Sequence, residues 1–221
     1  MAIPLILDDS RAYLAGPVAE ADTHSADRAV GQLRADYERW ARLGLGLLGF
    51  TGAILGAFFG VGLIGAMLEP GPPVGVIDIV ILVVAWAITL ASAVLLVRLW
   101  QSGRALTRAA KQWMRAPYIL GGRQRTGAGW VTARTINLEP RILVRNITAT
   151  LAVLLSLFGI APAIRDMVEG NFDGFSASML VAGFIALACG IGQMGGVITL
   201  VSGASEADPL WVRIRSSLAK D

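Results

Sequence analysis

Twenty-six consecutive residues, Leu43 to Leu68, carry no charged side chain, and three more uncharged apolar runs follow at Ile79–Val97, Ile147–Ile164 and Phe175–Val201. A helix rises about 1.5 Å per residue, so roughly 20 apolar residues cross a ~30 Å hydrocarbon core. All four runs fall in or near that length. The sequence therefore predicts an all-α polytopic integral membrane protein, with four transmembrane helices in two hairpins and cytoplasmic amphipathic helices beside them. A hydrophobic content of 55% in 221 residues agrees, being more than a soluble domain of this size carries.

Charge placement orients the chain. Residues 98–145 hold ten bases against one acid, Glu139, whereas Glu69 to Asp78 has no base. Lys and Arg beside the spans mark the cytoplasmic face. The central loop is thus expected inside, and an even number of spans brings both termini inside with it, in agreement with Arg34, Arg39, Arg42, Arg213, Arg215 and Lys220. The location expected is the inner (plasma) membrane. Arginine outnumbers lysine seventeen to two, with much Ala and Gly, which fits a GC-rich bacterial genome.

The resulting partition is a flexible tail over 1–24, an amphipathic helix over 25–42, a first transmembrane hairpin over 43–97, a basic cytoplasmic loop over 98–145, a second hairpin over 146–201 and a cytoplasmic tail over 202–221. No second globular domain is expected. The first run is too long for a signal peptide h-region and should remain in the mature chain. Val30, Leu33, Tyr37 and Trp40 recur at helical spacing, with Tyr37 and Trp40 as interfacial anchors. Glu69-Pro70-Gly71-Pro72-Pro73-Val74-Gly75 and Glu169-Gly170-Asn171-Phe172-Asp173-Gly174 supply the two external turns. Pro162 is expected to kink or end its helix, and Pro117 to stop the one before it.

In lipid, smooth faces of small residues let helix backbones approach closely. Gly52, Gly56 and Gly60 form such a face in the first run. Ala149, Ala152, Ser156, Gly159 and Ala163 form one in the third, and Ala188, Gly192 and Gly196 one in the fourth. These are candidates for packing within a subunit or for an oligomer interface. Arg104, Arg108, Lys111 and Arg115 make a basic stripe opposite Leu106, Ala110 and Trp113, a pattern that rests on an anionic leaflet. With Arg123 and Arg125 they are the candidate contacts to anionic inner-leaflet lipid or to a partner.

Ionisable residues are absent from the middle of the runs, which disfavours a proton-coupled transporter. Thr89, Ser92 and Gln193 are the candidate pore-lining groups, with interhelical hydrogen bonding as the simpler role. The glycine-rich segment 121–129 lacks the GK[ST] ending of a P-loop. His24 has too few neighbouring ligands for a metal site, and the lone Cys189 is read as a packing residue. No GxSxG, HExxH or His-Cys array occurs, so catalytic residues, cofactor and metal are all expected to be none. Leu155 to Ala163 followed by Ala182 to Gly196 resembles, in composition, the paired helices of MotA/ExbB-type proton-channel subunits. Those subunits have a much larger cytoplasmic domain than residues 98–145 can form, so no functional residue carries over.

The expectation for function is a non-enzymatic membrane protein acting by assembly, as a homo-oligomer or as the membrane subunit or anchor of a larger complex. An oligomeric channel or regulated pore is the alternative, and a small-solute or lipid transporter ranks third. Nucleic acid is not an expected partner.

Overall fold

The computed structural model describes residues 5–17, 22–70, 73–120, 122–124, 131, 135 and 138–208. These residues are helical, without strand. The order is α1 (Asp8–Arg11), α2 (Thr23–Tyr37), α3 (Trp40–Leu68), α4 (Val76–Ile119), α5 (Pro140–Glu169), α6 (Gly174–Ala204) and a closing 3-10 turn, Ser205–Ala207. Four of the helices are long and apolar enough to cross a membrane. Arg125, most of the glycine-rich segment and the tail from residue 209 lie outside the described residues.

Local chemistry explains the helix ends. Asp22 caps α2, its carboxylate accepting from the Ser25 amide at 2.7 Å, which satisfies one of the donors a helix start leaves open. The Ser25 hydrogen bonds hold the Asp22 carboxyl below its ordinary range. Gly170 takes φ +76°, the left-handed conformation at which helices commonly stop, and the Asn171 amide returns to the Asp166 carbonyl at 2.8 Å. Asp173 then caps α6 through the Ser176 amide at 2.8 Å. Neither proline is the last residue of its helix. Pro117 lies inside α4, two residues before its end at Ile119, and Pro162 lies inside α5, which continues to Glu169.

The chain divides into two compact units. One is assembled from the described parts of residues 1–42, 100–146 and 194–221, the other from 43–99 and 147–193. The first unit draws on three separate stretches of the sequence. A compact body need not be contiguous in sequence when long helices lend it their ends.

In the first unit α2 is the central element. Ala26, Ala29, Leu33 and Tyr37 of α2 form one buried cluster with Leu106, Ala109, Ala110 and Trp113 of α4, Ile142 of α5, and Val197 and Leu200 of α6. The apolar face of the basic stripe is thus protein core, and does not rest on a leaflet. Val197 and Leu200, read from sequence as part of the fourth span, belong to this core too. Residues 5–17 are also packed, unlike the loose tail expected. The Trp113 indole donates to the Tyr13 carbonyl at 2.9 Å, the Tyr13 and Trp113 rings meet edge to face at 5.9 Å, and Ile6 and Leu14 lie against the cluster.

The second unit contains the first three apolar runs and the fourth as far as residue 193. Its interior is narrow and lined by small residues such as Ala53, Ala57, Ala149 and Ala163. Its large side chains point outward: Leu48 is 71% exposed, Val83 63% and Phe158 70%.

Candidate functional site

Among the described residues three arrangements carry the polar and small side chains singled out by sequence: a buried charge cluster, the helix seams of the apolar unit, and an exposed basic face on α4.

The charge cluster lies in the first unit. Asp36 is fully buried, and Glu38, Arg42 and Arg145 are nearly so. Buried charges are costly unless paired or hydrogen-bonded; here Asp36 and Glu38 face arginines, and Arg42 and Arg145 donate to oxygen acceptors. Asp36 accepts from the Leu7 amide at 2.8 Å and faces Arg39 at 3.5 Å. The Arg42 guanidinium donates to the Leu5 carbonyl and to Ser102 Oγ at 2.9 Å. Arg145 donates to the Tyr37 carbonyl at 2.7 Å and stacks over the Tyr37 ring at 4.6 Å. Arg34 bridges Glu38 and Glu139. Burial pushes the Tyr37 phenol above its ordinary pKa despite the neighbouring guanidinium groups of Arg145 and Arg42, so it stays neutral at physiological pH.

Tyr37 is therefore no interfacial anchor. Its hydroxyl sits where a Cβ on Gly196 would come within 2.7 Å, so the small residue at 196 makes room for this ring. Trp40, by contrast, is 57% exposed. Arg34, Asp36, Glu38 and Arg39 fill the helix faces that Val30, Leu33 and Tyr37 leave, and nothing in that local pattern marks them as buried. Only their meeting with Leu5, Leu7, Ser102 and Arg145, distant along the chain, reveals the cluster.

The seams lie in the second unit. The Gly52–Gly56–Gly60 face receives α4: a Cβ on Gly52 would meet Ser92 Oγ at 2.5 Å, one on Gly56 would collide with Thr89 Oγ1 and the Ala85 carbonyl, and one on Gly60 would meet the Trp86 ring at 3.2 Å. Thr89 is buried and donates to Ala85 O at 2.8 Å. Ala149 and Ser156, both fully buried, face α6, where Gly183 and Gly190 come against the α5 backbone. Ser156 Oγ donates to Val153 O at 2.6 Å. Gln193 Nε2 donates to Thr148 Oγ1 at 2.7 Å.

The face of α6 used here is Gly183, Ala186 and Gly190, all buried, whereas Ala188 is exposed and Gly192 half-buried. Sequence spacing alone had selected Ala188, Gly192 and Gly196. A nearly all-apolar helix offers several small-residue stripes, and its periodicity does not say which meets a neighbour. Two glycines not singled out, Gly65 and Gly174, bring α3 and α6 together so closely that a Cβ on either would overlap the other's backbone. The Phe58 and Phe175 rings meet edge to face beside them, 5.8 Å apart.

The basic residues separate into distinct settings. Arg115 pairs with Glu206 at 3.0 Å and Arg123 with Asp27, and Lys111 is half-buried. Arg104 and Arg108 are exposed, with the Arg104 guanidinium 4.7 Å from the centre of the Trp100 ring.

Comparison with protein families, with curated proteins and with solved structures finds no match for this chain.

Proposed function

We propose that the chain is a multi-pass protein of a bacterial inner membrane, with four spans in two hairpins and both termini and the central loop in the cytoplasm. It acts without catalysis, by assembly with copies of itself or as the membrane subunit or anchor of a larger complex. The observation that carries the membrane reading is the make-up of the two units. The segments that the charge rule assigns to the cytoplasm, the two end segments and the central loop, cluster in one compact unit together with the end of the fourth apolar run from residue 194, while the first three runs and the fourth up to residue 193 form the other. An apolar outer surface of that extent is stable against lipid and not against water.

The assembly reading rests on an apolar unit in which Thr89, Ser92, Ser156 and Gln193 are tied into helix seams, leaving large apolar side chains on outward faces for contact. Because Gly52, Gly56 and Gly60 lie against α4, replacing them tests folding as much as association. The oligomeric pore draws less support, since Thr89, Ser92 and Gln193 lie in seams rather than along an open face. The deciding experiment is the mass of the complex extracted in mild detergent or native nanodiscs, with co-purifying proteins identified. A homo-oligomer or a stable heteromer is expected. A lone monomer without companions overturns the assembly reading.

A further inference from the structure

Resting on the membrane placement above, we propose that the face of α4 formed by Trp100, Gln101, Arg104 and Arg108 binds the phosphodiester headgroup of an anionic membrane phospholipid. Helical side chains tilt toward the helix N-terminus, and in α4 that direction leads back to Val97, where the apolar run ends. Arg104 follows this tilt, folding one turn back over Trp100 at 4.7 Å. Trp100 stands about 4.5 Å along the axis beyond Val97, inside the headgroup layer of roughly 5–7 Å that flanks each side of the hydrocarbon. The stacking therefore holds a guanidinium at phosphate depth.

Three further observations point to lipid. Trp100 is 45% exposed, as expected of an amphipathic ring in the interfacial belt. Trp100, Gln101, Arg104, Ala105 and Arg108 line a shallow hollow, in which the Arg104 fork can grip phosphate oxygens bidentately, while Arg108, about 16.5 Å beyond Val97 along the axis, adds positive charge from the aqueous side. The exposed stripe of α4 that leads to them is Leu90, Val94 and Val97, a surface for acyl chains rather than for an acidic peptide.

The charge is also available. Arg11, Arg34, Arg39, Arg115, Arg123 and Arg165 each meet a carboxylate. Among the described residues Arg104 and Arg108 do not. Arg115, read from sequence as part of the same contact, lies about 27 Å beyond Val97 and is engaged by Glu206.

The test uses the full chain reconstituted in phosphatidylcholine vesicles containing phosphatidylglycerol, followed by native mass spectrometry of retained lipid. Wild type should retain phosphatidylglycerol. Arg104→Gln with Arg108→Gln should weaken retention roughly 30-fold, the effect of two interfacial arginines. Arg104→Lys with Arg108→Lys, which keeps charge but loses the forks, should fall between. Arg28→Gln with Arg141→Gln removes the same charge from two other exposed positions and should retain lipid as wild type does. Equal loss in both glutamine pairs, or loss in neither, overturns the site. Inorganic phosphate displacing the lipid at matched concentration would make it a soluble-anion site and overturn the lipid assignment. Alkaline carbonate extraction of the wild-type chain is read separately: release from membranes refutes the membrane placement itself, whereas retention with lipid binding unaffected by the variants refutes only this site.

Discussion

At Gly65 a single methyl group has no room, because its position is already filled by the Gly174 backbone. Gly44, in the same helix, has nothing within 4 Å of a built Cβ. Backbone atoms cannot rotate aside as a side-chain tip can, so the same substitution should act with opposite sign at the two sites. Gly65→Ala should destabilise the protein by about 1–3 kcal/mol through overpacking. Gly44→Ala should be neutral or stabilising by up to about 1 kcal/mol, from the conformational entropy glycine loses in a helix. Thermal or denaturant unfolding of both variants in one detergent measures the difference. Equal midpoints would mean that α3 and α6 do not approach as described. Sequence reading found the glycines of α3 as a smooth face, yet it had no means of ranking them: Gly44 and Gly65 both fall in apolar or near-apolar surroundings, and only the neighbouring helix distinguishes them.

Among the elements, the N-terminal segment and α2 depart most from what their residues suggested. Residues 5–17 have no sustained periodicity, and the contacts that order them are long-range ones, from Leu7 to Asp36, Leu5 to Arg42 and Tyr13 to Trp113. No local pattern announces such a strap. Asp36 connects it to α2 while compensating nearby arginines, so Asp36→Ala removes an acceptor and leaves buried positive charge unbalanced. We expect a loss of about 3–5 kcal/mol, with amide exchange over residues 5–14 accelerating first. Unchanged protection there would show that the strap does not depend on Asp36. The long helices were legible for the opposite reason: runs such as Ile79–Val97 carry their own signal. Their ends were less so. α4 passes Pro117 and α6 carries Val197 and Leu200 into a protein core, since a helix that outruns the apolar layer can bury its continuation against other helices.

For the whole molecule, composition located the four long apolar helices, and basic residues grouped the segments that reappear together in one compact unit. That such segments build a shared core with buried charge was not legible, because a discontinuous core leaves no contiguous signature. The central claim is that this unit faces the cytoplasm while the apolar unit spans the bilayer. Single cysteines placed in a Cys189→Ala background at exposed Gln112 and exposed Asn171, then treated in intact cells with a membrane-impermeant maleimide, test it most directly. Asn171 should label in intact cells, and Gln112 only after the membrane is opened. Labelling of Gln112 in intact cells, with Asn171 protected, would contradict the claim.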